Sequence, residues 1–302
     1  MSILPTESLS TEKRATRKTI RTRFGEIAYL ETGGGGPGPA AVFIHGVFLN
    51  ADLWRGQIDG LADIRRCLAV DLLAHGESAC PAPGTLTVSL QAEMVLAFLD
   101  ALGLDAVDLV GNDSGGAIGQ LVVAQAPGRV RSLTLTNCDT HDNWPPEAFA
   151  PIHDLALDGT LAAALGALAT DPDTARGIMA SSFEHPDSLS DEVLTGFFAP
   201  FAHAEKAQAV QEYVAGMDNA VTVAIRDDLA QFRSPTLIVW GTADEFFDVA
   251  WARWLATTIP GTVRSVELAG AKLFFPVERP EEFNRELRSL WAEGGPTTRR
   301  PG

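Results

Sequence analysis

The chain is short of cysteine, of tyrosine and of positive charge. Its 302 residues include three cysteines, Cys67, Cys80 and Cys138. An odd number without metal-ligand spacing excludes a disulfide framework or a cysteine-built zinc site. Cys67 and Cys138 lie in apolar, strand-like runs and read as buried thiols, which suits a cytoplasmic protein. Twenty-three basic residues face 39 acidic ones, a net charge of −16, so a nucleic-acid-binding surface is not expected. The one basic cluster, Lys13, Arg14, Arg17, Lys18, Arg21 and Arg23, reads as a solvated lead-in. No apolar run reaches the roughly 18 residues of a membrane helix, so no membrane partner is expected. The opening MSILPTESLS has no long apolar segment and does not read as a secretory signal. GGGGPGP lacks the lysine and following helix of a phosphate loop and reads as a hairpin or linker. No metal-ligating cluster appears, and no cofactor is expected.

Apolar residues are plentiful, at 46% of the chain against 21% charged, which is the balance of a globular protein with one large core. Their pattern alternates. Strand-like AAVFIHG, RRCLAVDLL, AVDLVGND and VRSLTLTNC are interleaved with helix-like ADLWRGQIDGLAD, TVSLQAEMVLAFLDALGL and SGGAIGQLVVAQ. Thr87 or Ser89 is the expected cap of the second helix. Such alternation predicts a mostly parallel, doubly wound α/β sheet. From 139 to 231 the strand signal stops, and short helical pieces carry scattered phenylalanines. We read this as a helical cap inserted after the sixth strand. Residues 21–138 and 232–293 form the core, flanked by tails at 1–20 and 294–302.

The segment AVDLVGNDSGGAIGQ sets a strand directly against a helix with a polar residue at the turn. A sharp strand–turn–helix exposes the side chain at its tip, and needs small residues two positions before and after it. Gly111 and Gly115 bracket Asp113, whereas Ser114 at the tip would put Asn112 in the tight position. Asp113 is therefore the expected tip.

Several motifs, in this order, resemble the α/β-hydrolase family over about residues 21–292: His45-Gly46-Val47, DLLAHGES from Asp71, the GNDSGG turn, Asp244 in WGTADEFF, and VELAGAKLFFPVERPEEF. An aspartate at the elbow is similar to the haloalkane dehalogenase and epoxide hydrolase branch. The resemblance implies that the Asp113 carboxylate attacks an electrophilic carbon, and that an activated water cleaves the resulting ester. It also implies oxyanion N–H groups on Val47 and Ser114 and a supporting acid at Asp244.

The departures are as informative. Where the family places its histidine, this chain has Leu273, preceded by Lys272. Leucine transfers no proton. His45 and His75 fall in structural loops, and His153, His185 and His203 fall in the cap. His141, at the end of a sheet strand, is the candidate substitute, with Asp139 or Asp142 to orient it. Ser114 replaces the tryptophan that binds halide in dehalogenases, and Val47-Phe48 removes their asparagine. Trp144 is the candidate replacement donor, although a cap tryptophan equally serves packing. Of two tyrosines, only Tyr213 is placed to protonate a leaving oxygen.

Three readings follow. The first is a hydrolase of a small to medium apolar or aromatic substrate, with Asp113, Asp244 and His141 catalytic and Val47, Phe48, Ser114, Trp144, Tyr213 and Leu273 around the substrate. The second is a lyase, cyclase or isomerase using Asp113 as general acid or base, which needs no histidine. The third is a non-catalytic binding protein. Phe246, Phe247, Phe274 and Phe275 are expected near the mouth of the site. A homodimer is left open.

Overall fold

The strands are β1 (Thr16–Thr22), β2 (Gly25–Glu31), β3 (Ala41–Ile44), β4 (Cys67–Val70), β5 (Val107–Asp113), β6 (Val130–Cys138), β7 (Thr236–Gly241) and β8 (Thr262–Leu268). They form one sheet in the order β1-β2-β4-β3-β5-β6-β7-β8 in a computed structural model that describes residues 15–33, 36 and 38–293. β1 and β2 pair antiparallel, as do β2 and β4, and all the other pairs are parallel. Every residue of β3, β4, β5 and β7 is buried. Strands covered on both faces must be apolar throughout, which is why AVFI and CLAV show no alternation. The edge strand β8 does alternate, between half-buried and exposed residues.

Between the strands run α1 (Arg55–Leu61), α2 (Val88–Ala101) and α3 (Ser114–Gln125). Thr87, not Ser89, caps α2, its hydroxyl accepting from the Leu90 N–H at 3.1 Å. Losing such a cap costs about 1 kcal/mol.

After β6 the chain leaves the sheet for α4 (Ala150–Leu157), α5 (Leu161–Leu168), α6 (Pro172–Met179), α7 (Asp191–Phe198), α8 (Ala204–Ala215), α9 (Ala220–Ala224) and α10 (Arg226–Leu229). It returns to β7, then α11 (Val249–Thr258), β8, α12 (Phe275–Glu278) and α13 (Pro280–Glu293). Polar pins hold the inserted helices to the core. The Lys206 ammonium donates to the Gly76 carbonyl at 2.7 Å, and the Asn50 amide donates to the Gly196 carbonyl at 2.9 Å. Apolar contacts complete the seam, with Phe201 edge-on to His75 and Phe149 stacked on Phe48.

Two expectations change at the N-terminal side. β1 begins at Thr16, inside the segment read as a tail; of its basic residues Arg21 is exposed, as a solvated lead-in would be, but Arg17 and Lys18 are ion-paired. Arg17 binds Asp52 and the fully buried Asp71, and Lys18 binds Glu31 at 2.7 Å. Strand pairing brings carboxylates from distant segments onto these cations, which local charge reading cannot anticipate. Lys13 and Arg14 lie outside the described residues, as does the tail at 294–302. Of the hairpin and linker readings of GGGGPGP the strand order leaves the linker, because β2 and β3 are not neighbours; its Gly34, Gly35 and Pro37 are outside the described residues.

β3 sends its connection to β4 on one side, while β5 lies on its other side. The loops after β3 and β5 therefore diverge at a crevice, where open α/β sheets hold their sites.

Candidate active site

Asp113 ends β5 with φ 55° and ψ −133°, directly before α3. A residue with a side chain held there costs on the order of 1–3 kcal/mol. The surrounding glycines permit the turn by close approach. A Cβ on Gly111 would stand 2.4 Å from the Gly115 carbonyl oxygen, and one on Gly115 would stand 2.2 Å from that of Ile44. The tip of the elbow is thus Asp113 and not Ser114. On the other side, the loop after β3 brings Gly46 so close that a Cβ there would lie 2.3 Å from Asp113 Oδ2.

The loop after β3 is tied down by hydrogen bonds. His45 is fully buried; its Nδ1 lies 2.7 Å from the Gly46 carbonyl, and its Nε2 accepts from the Leu72 N–H at 3.0 Å. That pairing requires the neutral ring, and burial pushes its pKa well below the usual value. Asp71 accepts from the Ala51 and Glu77 N–H groups and pairs with Arg17. Both groups are scaffolding, as the sequence suggested for His45.

Above Asp113 lies a cavity of about 120 Å³ between core and cap. Asp113, Ser114 and Asp139 supply polar groups to it, and Val47, Phe48, Trp144, Phe149, Phe198, Phe246, Phe247, Leu273 and Phe274 supply apolar wall. Leu155 and Ile178 also border it and are exposed, marking an apolar rim. Trp144 is buried, and its indole N–H has no partner. Buried indoles usually find an acceptor, and this one shares its lack of a partner with Trp54 and Trp291.

Asp113 accepts from the Ser114 N–H at 2.7 Å, and the Ser114 hydroxyl lies 3.4 Å from the same oxygen. Burial lifts the Asp113 pKa to about 7; the Ser114 N–H opposes the rise and the charge of Asp244 adds to it. Asp244 accepts from the Asn137 amide at 2.6 Å and from the Phe246 N–H at 2.8 Å. Burial still raises it to about 6 against those bonds. Asp139 is buried, and burial followed by the charge of Asp113 lifts it well above the carboxylate range, with the Ser114 hydroxyl opposing.

Several expected residues lie elsewhere. His141 is not among the residues that line the cavity. Its backbone takes φ 49°, and its ring packs 4.7 Å from that of Trp254 on α11, with Asp142 at 3.3 Å. The turn after β6, closed by the Thr140–Asn143 bridge, carries the imidazole onto this tryptophan. All six histidines are described residues, and none lines the cavity. Tyr213 is buried behind the lining, its hydroxyl unpartnered and near Ser114 and Asp139. Phe275 packs edge-on to Phe283 in the core, while Phe246, Phe247 and Phe274 do reach the cavity. Lys272 pairs with Glu245 at 3.0 Å. Leu273 lines the cavity in the position where the family resemblance calls for a base, and its carbonyl accepts from the Asn112 amide at 3.1 Å. Sequence reasoning placed Asp139 only beside His141. The available signal was its position just past the end of β6, at the site end of the sheet. Among the described residues, no group of three His, Cys, Asp or Glu side chains could hold a metal ion.

A family model described as alpha/beta hydrolase fold matches residues 39–276. The chain belongs to this family. A haloalkane dehalogenase of Mycobacterium tuberculosis is 28% identical over 273 residues, covering 86% of this chain and 89% of that protein. A shorter match, 35% identical over 111 residues, is to the dihydrolipoyllysine-residue acetyltransferase component of an acetoin cleaving system from Cupriavidus necator; it spans 37% of this chain and only 29% of that protein. Among solved structures, a haloalkane dehalogenase of Bradyrhizobium elkani superposes with a TM-score of 0.78 at 22% identity, over 93% of this chain and 98% of that one. At that identity the superposition supports the α/β-hydrolase fold alone. Among the described residues no helix is long and apolar enough to cross a membrane.

Proposed function

We propose that this protein is a hydrolase of a small to medium apolar or aromatic organic substrate, with Asp113 as nucleophile. One observation carries the reading: the strained elbow holds a carboxylate against a largely apolar cavity beneath a cap. A desolvated carboxylate is a stronger nucleophile than a hydrated one, and the strain has no structural return unless the tip reacts. The walls recognise an apolar group by shape. Val47 and Ser114 supply backbone N–H groups for an oxyanion as the ester is cleaved. Asp244 keeps the family's acid position without an imidazole to orient. Hydrolase-named relatives support the class, and the buried free thiols Cys67 and Cys138 support a reducing, cytoplasmic setting.

The absence of a histidine from the lining favours a second reading, in which Asp113 transfers a proton in a lyase, cyclase or isomerase reaction and no ester forms. Multiple turnovers in heavy-oxygen water separate the two. Hydrolysis through an aspartyl ester puts the heavy isotope into Asp113 itself, detected by peptide mass. Turnover that leaves Asp113 unlabelled would rule out the ester.

A further inference from the structure

With Leu273 in the histidine's place, a hydrolytic cycle at Asp113 lacks a proton carrier. The cavity holds a second carboxyl. Asp139 follows β6 directly, and β6 pairs with β5 so that Asp113 stands opposite Cys138, the residue before Asp139. Both carboxyls are buried and both line the cavity. The Ser114 hydroxyl interacts with each of them. The Gln120 amide fixes the Asp139 backbone by donating to its carbonyl at 2.9 Å. Two carboxyls in one desolvated site cannot both ionise readily, so they hold a proton between them. The hydrogen-bond pattern says where it resides. Asp113 accepts a backbone N–H, which favours its anion. Among the described residues, no backbone N–H donates to the Asp139 carboxyl, so Asp139 keeps the proton.

We propose that Asp139 is the second catalytic residue of this site, serving as acid and then as base in place of the missing histidine. The inference rests on the hydrolytic reading above. In the first step an Asp113 oxygen forms a bond to the electrophilic carbon. The carbon–oxygen bond to the leaving group breaks, and the leaving oxygen takes the proton of Asp139. Asp139 is then a carboxylate beside an uncharged ester. In the second step it takes a proton from water as the water oxygen attacks the ester carbonyl carbon. Collapse releases the alcohol and restores anionic Asp113 and protonated Asp139. The net reaction adds one water and needs no co-reactant. This balance selects the leaving group. A halide departs without a proton and would leave Asp139 protonated, with no base for the ester. A leaving oxygen that must be protonated, as in a strained cyclic ether, resets the pair.

The test uses the full chain with two probes of one carbon skeleton, styrene oxide and phenethyl bromide. The wild type is expected to turn over the oxide and to be trapped by the bromide as a stable adduct on Asp113, seen by intact mass and peptide mapping. Asp139→Asn should lose at least a hundredfold in oxide turnover while still being trapped by the bromide, which also shows that the variant is folded. Equal turnover of both probes, or an active Asp139→Asn, would overturn the proposal. A second measurement needs no turnover: NMR titration of carboxyl-labelled aspartate. The charged or titratable groups facing Asp139 are Asp113, Cys138 and Tyr213. Asp113→Asn should lower the Asp139 midpoint by about one pH unit or more. An unmoved midpoint with an Asp113 adduct overturns the shared proton and leaves the nucleophile standing. A moved midpoint with no Asp113 adduct from either probe overturns the hydrolytic reading and the cycle built on it.

Discussion

Three loops at the site end of the sheet divide into two kinds. The loops after β3 and β4 each carry a histidine that serves the backbone: His45 joins Gly46 to Leu72, and His75 sits with its Nδ1 2.9 Å from the Leu73 carbonyl while its Nε2 has no partner. The loop after β8 has leucine where the family resemblance calls for a histidine, yet Leu273 is buried at the cavity wall and its backbone is held by Asn112. The imidazoles that satisfy buried backbone groups are present, and the one that would transfer protons is not. Folding alone would not distinguish these positions. What separates them is proton chemistry, which an imidazole can perform and a leucine cannot, and on the proposed reading that task falls to Asp139.

The comparison can be broken most severely at Asp113. Asp113→Ala should reduce styrene oxide turnover by about a thousandfold or more, the usual scale for loss of a covalent nucleophile. A steady-state assay that finds the variant as active as wild type would remove the site altogether. On the scaffold side, His45→Ala should destabilise the fold by about 2–4 kcal/mol, since it orphans the buried Leu72 N–H and opens a cavity. Urea denaturation of the variant measures this directly.

Stability should also respond to the buried charge. Burial lifts Asp113 to about 7, so the folded state binds its proton more tightly than the unfolded chain does. The stability this confers is complete below the unfolded carboxyl value and disappears as pH rises through about 7. Asp113→Asn should therefore gain on the order of 4 kcal/mol near pH 8 and almost nothing near pH 4. Thermal melts at the two pH values check the sign. In the same range, reaction of Asp113 with phenethyl bromide should quicken as pH rises through about 7, because only the carboxylate attacks. The smallest effect tests the comparison from the other side. Leu273→His should restore a base to the β8 loop and release the bromide-trapped ester at a rate about tenfold above wild type, about 1.4 kcal/mol in barrier. Decay of the adduct mass with time reads it.

Much of this arrangement was legible in the chain. The α/β alternation, the helical insertion after β6 and Asp113 at the elbow follow from apolar runs, a loss of strand signal and the spacing of Gly111 and Gly115. The pairing of Arg17 and Lys18 was not legible, because Asp71, Asp52 and Glu31 reach them only through the tertiary fold. His141 was misplaced for a related reason. Its position after a strand is a site position, but one turn with positive φ sends its ring to Trp254. Asp139, two residues earlier, points to the cavity instead.

The sequence by itself determined the fold and the position of the elbow, because these depend on residue type and spacing along one segment. Only the tertiary structure decided that Asp113 and Asp139 share a desolvated cavity while His141 does not line it. Which side chains meet after a turn depends on backbone dihedrals and on packing partners more than a hundred positions away, and neither is written in local sequence.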